Sequence, residues 1–175
     1  MKRKALIISI KSFKLSKKEM LLLSRMKPWG IILFKRNIKS IHQIKYLTNQ
    51  IKKLTKNKNF PILIDEEGKN VSRLRQIINH DISANFFGNL YKNEKVFCLN
   101  LLRHYIGSLS KVLNSLGINI NTVPVLDVLR KNTNKVIGNR SFSKNKSIVR
   151  ELGKATVKYF HLNKIGCIIK HIPGH

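Results

Sequence analysis

Pro61-Ile62-Leu63-Ile64-Asp65-Glu66-Glu67-Gly68 decides the fold. Four apolar residues, too few for a helix and rich in β-branched side chains, are followed at once by three acids and a glycine. Such a run reads as a buried parallel strand that delivers charge at its carboxyl end. The same grammar recurs on both sides. Short apolar runs occupy residues 5–10, 30–34, 61–64, 118–128 (interrupted by Pro124) and 165–169. Helical periodicity fills the gaps. Ser16-Lys17-Lys18-Glu19 is a capping box that starts one helix, flanked by Leu15 and Met20 as a hydrophobic staple. Residues 40–54 align Ile41, Ile44, Leu47, Ile51 and Leu54. Residues 95–116 align Leu99, Leu102, Ile106, Leu109, Val112 and Leu116, with Gly117 as the stop. Residues 146–162 align Ile148, Leu152, Ala155 and Tyr159. Residues 75–92 are the least regular part and read as a long loop with room for a short helix. The order β-α-β-α-β-α-β-α-β predicts an α/β fold with a parallel sheet and right-handed crossovers, either doubly wound or a (β/α)8 barrel. One domain over residues 1–175 is expected, since the length can bury a real core.

The chain has 35 Lys+Arg against 8 Asp+Glu, a net charge of +27. A nucleic-acid or anionic-membrane partner is the first thought. However, the excess is mostly lysine and runs along the whole chain, whereas binding arms concentrate like charges and interleave aromatics. The joint abundance of Lys, Asn and Ile, whose codons are AT-rich, accounts for the surface without a partner. No specific nucleic-acid binding is expected, only salt-sensitive sticking. The basic start and the short run behind it are too brief for a signal core or a membrane span, which needs about 18 apolar residues or more. With only Cys98 and Cys167, both in apolar patterns, there is no disulfide framework. These features point to a cytoplasmic protein.

In either architecture the site lies at the carboxyl ends of the strands. Those ends read Phe34-Lys35-Arg36-Asn37, Asp65-Glu66-Glu67-Gly68, Leu126-Asp127-Val128 and Lys170-His171. Three of the eight acids fall in the second of these. The plain reading is a solvated loop or a helix N-cap. The functional reading is a carboxylate that accepts hydrogen bonds from a sugar or polyol, with Arg73 pairing to it or reaching a ligand. His171 and His175 lie four apart, but Pro173 and Gly174 between them forbid the helix a zinc pair would need. No metal or cofactor is expected. Phosphate-binding glycine loops, nucleophile elbows and a Ser-His-Asp set are absent from the sequence.

Several segments, in order, carry a resemblance. They are Pro28-Trp29-Gly30 leading into Ile32-Leu33-Phe34-Lys35-Arg36-Asn37; Ile64-Asp65-Glu66-Glu67-Gly68 with Val71 and Arg73-Leu74; and Pro124-Val125-Leu126-Asp127-Val128. Val136-Ile137-Gly138-Asn139-Arg140-Ser141-Phe142 and Lys170-His171-Ile172-Pro173-Gly174-His175 complete the set. Almost the whole chain thereby resembles the N-terminal part of bacterial β-N-acetylhexosaminidases of glycoside hydrolase family 3. The resemblance implies a (β/α)8 barrel of TIM type, of which about the first five βα units are present. It implies retaining hydrolysis that releases N-acetylglucosamine from peptidoglycan fragments during cell-wall recycling in the cytoplasm. The partner it implies is a small amino-sugar or muropeptide. It assigns substrate binding to Asp65, Arg73, Arg140, Lys170 and His171, with Asp65 and Lys170 holding sugar hydroxyls and the arginines and histidine fixing the pose.

Two departures qualify what the resemblance implies. The usual Gly-Gly-Arg-Val is Gly68-Lys69-Asn70-Val71 here. The family's Asp-x-His dyad, whose histidine is the general acid/base, and its aspartate nucleophile belong beyond the Pro173-Gly174-His175 segment. No catalytic residue is therefore expected among residues 1–175, and His175 is not the acid/base. The expectation is an inactive, truncated chain of enzyme ancestry. A non-catalytic amino-sugar-binding remnant is the alternative, and a basic nucleic-acid-associated protein a more distant one.

Overall fold

The computed structural model describes residues 3–175. Five strands and five helices follow the expected order, except that two consecutive helices instead of one connect the third strand to the fourth. They are β1 (Lys4–Ile8), α1 (Lys17–Met26), β2 (Pro28–Leu33), α2 (Ile41–Leu54), β3 (Ile62–Ile64), α3 (Ala84–Asn93), α4 (Lys95–Ser115), β4 (Ile120–Asn121), α5 (Lys146–Leu162) and β5 (Gly166–Cys167). Every strand pairing is parallel, and the strand order is β1-β2-β3-β4-β5. This order separates the two architectures left open by periodicity. A doubly wound sheet reverses its order at a switch point, whereas a barrel adds each strand beside the last. The chain follows the barrel course. Its edge strands leave apolar side chains in the open: Leu6 and Ile7 on β1, Ile168 and Ile169 just past β5.

The inner strands β2 and β3 are buried because helices cover the sheet. Ile31, Leu33, Ile62, Leu63 and Ile64 are at most 1% exposed and join one core cluster with residues of all five helices, apart from Leu63, which is buried outside it. Ser16 caps α1 by the expected reciprocal box, its hydroxyl accepting from the Glu19 amide while the Glu19 carboxylate accepts from the Ser16 amide. Leu15 is buried and Met20 packs against the same core. Gly117 takes φ +77° just past α4, as a C′ stop requires. Cys98 is buried, and burial pushes its thiol up to about 11; the partly buried Cys167 thiol rises to about 12 for the same reason. Among the described residues no helix is long and apolar enough to cross a membrane.

The helix faces differ in detail from the periodic reading. On α2 the buried stripe is Ile44, Leu47, Thr48 and Ile51, while Ile41 in the first turn is half exposed. On α5 the buried residues are Val149, Leu152, Gly153, Thr156 and Phe160, with Ile148, Ala155 and Tyr159 flanking them. The stripe is displaced because Gly153 and Thr156 occupy contact positions that a hydrophobicity count passes over. A Cβ on Gly153 would lie 2.6 Å from Leu126 Cδ2, so the bare backbone seats α5 against the chain following β4.

The irregular stretch 75–92 holds most of a full helix, α3, capped by the Ser83 hydroxyl on the Phe86 amide. Gly88 at its centre obscures the pattern yet makes the packing possible. A Cβ there would sit 1.6 Å from the Phe142 carbonyl oxygen. α3 thus lies directly on the loop that carries Arg140. Since a backbone oxygen cannot swing aside, Gly88→Ala should destabilise the fold by about 2–4 kcal/mol. Urea denaturation will show this, and a change under about 0.5 kcal/mol would refute the packing argument.

Candidate functional site

The carboxyl end of β3 splits its three acids between two environments. Side chains alternate along extended chain, and Asp65 and Glu67 enter one ion cluster while Glu66 turns into the interior. Asp65 Oδ1 accepts from Lys170 Nζ at 3.1 Å, and Oδ2 from Arg73 Nη2 at 3.0 Å. The Thr122 hydroxyl, just past β4, donates to Asp65 Oδ1 and accepts from Lys170 Nζ at 3.0 Å. Lys170 also pairs with Glu67 at 2.5 Å. Glu67 in turn receives a two-pronged bond from Arg140, Nε to Oε2 at 2.8 Å and Nη2 to Oε1 at 3.0 Å. Two carboxylates therefore alternate with three cations across the ends of β3 and β5 and the loop before α5. This arrangement offers acceptors and donors side by side, as recognition of a polyhydroxy ligand requires.

A second cluster adjoins the first through the chain at Lys170-His171. Asp127 Oδ2 contacts His171 Nδ1 at 2.7 Å and accepts the His171 amide at 3.2 Å, while Oδ1 accepts the His175 amide at 2.8 Å. The two imidazoles meet edge to face, 4.5 Å between centroids. A 340 Å³ cavity lies here, lined by Asp127, Arg130, Thr133, His171 and His175 among others. Among the described residues no group of three His, Cys, Asp or Glu could hold a metal ion.

The sequence matches the model of the glycosyl hydrolase family 3 N-terminal domain over residues 2–175. The chain belongs to glycosyl hydrolase family 3. It is 37% identical over 163 residues to the beta-hexosaminidase A of Pseudoalteromonas piscicida, covering 88% of this chain and 26% of that protein. The crystal structure of native NagZ from Neisseria gonorrhoeae superposes with a TM-score of 0.90 at 32% identity, covering 99% of this chain and 50% of that one. The same Neisseria protein in complex with N-trifluoroacetyl-D-glucosamine superposes at 0.88. This family 3 chain thus spans from about a quarter to about half the length of these relatives, and its five parallel strands with their helices form part of a TIM-type barrel.

Within this family 3 scaffold, the five residues singled out from sequence fall into two groups. Asp65, Arg73, Arg140 and Lys170 share the first cluster, and His171 belongs to the adjoining one. Arg73 pairs with Asp65, one of the two roles open to it. Neither plain reading of the acidic segment holds, since no helix begins there and the side chains of Glu66 and Glu67 are 0% and 6% exposed. Three members of the site were not assigned to substrate binding. Glu67 is the shared partner of Lys170 and Arg140. Thr122 and Asp127 hold Lys170 and His171 in place. Asp127 stood at a strand end in the sequence and was recognisable as an acid in an acid-poor chain. A threonine among apolar residues carries no such signal.

Burial alone would raise the Asp65 carboxyl, but the Thr122 hydrogen bond, the Lys170 charge and the hydrogen bonds of Arg73 and Lys170 outweigh it and hold it at about 2. Asp127 is also held below the usual range: burial opposes this, and the bonds from His171 and His175 prevail. A carboxyl lowered on folding stabilises the native state above its unfolded value and loses that contribution as pH falls toward the folded value. For Asp65 the window is from 3.8 down to about 2, and the contribution about 2 kcal/mol. Urea denaturation of wild type and Asp65→Asn from pH 6 to pH 2 should show a steeper acid loss in wild type by about that amount. Parallel acid slopes would contradict the assignment.

Proposed function

We propose that this chain carries the amino-sugar recognition part of a retaining β-N-acetylhexosaminidase, acting in the cytoplasm on N-acetylglucosamine-containing peptidoglycan fragments. The observation that carries this reading is the interleaved cluster Asp65–Lys170–Glu67–Arg140 with Arg73, at the strand ends where a barrel of this family builds its site. The N-trifluoroacetyl-D-glucosamine held by the Neisseria relative supports the ligand class. In this reading Asp65 and Lys170 exchange hydrogen bonds with sugar hydroxyls. Arg73 and Arg140 fix the carboxylates that face the ligand, and His171, oriented by Asp127, presents its second nitrogen to the substrate.

The role of these groups is to bind and orient. Bond cleavage with retention needs a nucleophilic carboxylate and a separate acid/base. Asp65 and Glu67, each tied to two cations, are built for ground-state contacts. The test is calorimetric titration of the chain with N-acetylglucosamine. A saturable one-to-one heat that is lost in Lys170→Ala supports the reading, and no heat with a correctly folded chain would count against it.

A further inference from the structure

Arg73 reaches Asp65 through a single hydrogen bond, and its Nε is buried with no hydrogen-bond partner among the described residues. Besides this bond, among the described residues the guanidinium lies against the Phe34 ring, 5.7 Å from the centroid. A side chain held this lightly is aimed by its backbone. That backbone hangs on Glu66. One oxygen of the Glu66 carboxylate, Oε2, accepts the amides of Arg73 at 2.8 Å and Leu74 at 2.9 Å. The other oxygen meets His80 Nε2 at 2.6 Å, and His80 Nδ1 meets the Tyr105 hydroxyl of α4 at 2.9 Å. The Glu66 backbone is itself clamped, its amide and carbonyl both bound by the Asn121 side chain of β4. Glu66 thus ties β3, β4, α4 and the returning segment at Arg73 together.

We propose that Glu66 is a positioning residue for sugar recognition: it fixes the Arg73–Leu74 backbone so that the Arg73 guanidinium stays on Asp65, and the His80–Tyr105 pair holds Glu66 in that pose. The inference rests on the amino-sugar reading of the Asp65 cluster. Its working part is hydrogen-bond acceptance at Oε2, so charge is dispensable. In Glu66→Gln the amide oxygen can still accept both backbone amides. The amide nitrogen then donates to His80 Nε2, and His80 in its other tautomer donates from Nδ1 to Tyr105. In Glu66→Ala two buried amides lose their acceptor.

The experiment has two arms on the same samples. The first is the Arg73 Nε–H resonance in nitrogen–proton NMR spectra, identified by its loss in Arg73→Lys. It should be resolved and slow to exchange in wild type and Glu66→Gln, and merged with exposed arginines in Glu66→Ala. The second is N-acetylglucosamine affinity, expected within about threefold of wild type for Gln and at least about tenfold weaker for Ala. If the alanine variant does not fold, Glu66→Leu fills the volume without supplying an acceptor. A folded Glu66→Gln that loses the Arg73 signal, or an Ala or Leu variant that keeps it, overturns the proposal. Absence of sugar binding in wild type would sink the amino-sugar reading and leave the NMR arm to judge the positioning of Arg73.

Discussion

Asp65→Ala should weaken N-acetylglucosamine binding by about 2–4 kcal/mol, roughly 30-fold to 1,000-fold. The magnitude follows from what the substitution leaves behind. Asp65 is the common acceptor for Lys170, Arg73 and Thr122. Its removal takes away a charged contact to the ligand and also leaves a mostly buried ammonium, 15% exposed, with Glu67 as its only remaining carboxylate. Lys170 would then swing toward Glu67 and away from the sugar. Glu19→Ala on α1, whose carboxylate bonds Lys11 and Ser16 and no member of the cluster, serves as the control and should leave binding unchanged. Equal affinity for wild type and Asp65→Ala would remove Asp65 from the site, even if both bind.

The second large effect is on turnover. The purified 175-residue polypeptide should not measurably hydrolyse a chromogenic β-N-acetylglucosaminide. The reason lies in where its eight acids are. Asp65 and Glu67 are each tied to two cations, Glu66 is enclosed by backbone amides and His80, and Asp127 is taken up by His171 and His175. Glu19 caps α1, Asp81 pairs with Arg75, Glu94 sits between α3 and α4, and Glu151 pairs with Arg150 on α5. None is left as a free nucleophile at the strand ends, and sugar orientation alone does not cleave a glycosidic bond. A Lys170→Ala sample excludes contaminating host enzyme. Retaining turnover that vanishes in that control would show that the cluster itself reacts.

The architecture was legible because two periodicities alternate cleanly, and because apolar runs such as 61–64 end abruptly in charge. The barrel course was not legible from periodicity, since both parallel architectures use the same βα unit; strand order decides it, and strand order is a tertiary fact. Residues 75–92 read as a loop with room for a short helix, and the bounds of α3 are not legible there because Gly88 and the lone residue Glu94 between α3 and α4 break its pattern, although close packing on Phe142 requires that glycine. At the site, the charged residues announced themselves against a basic, acid-poor background. What the sequence did not disclose is the division of labour within Asp65-Glu66-Glu67. Adjacent carboxylates look alike until extended geometry sends Glu66 inward and its neighbours outward. Thr122 was hidden for a different reason, since its hydroxyl gains meaning only when β4 brings it between Asp65 and Lys170.

The most direct test is a crystal structure of this chain with N-acetylglucosamine. The account predicts one sugar at the carboxyl ends of β3 and β5, with hydroxyls in hydrogen-bonding contact with Asp65 and Lys170 and with His171 facing the ligand. A sugar bound elsewhere, or an ion cluster left untouched by saturating ligand, would contradict it.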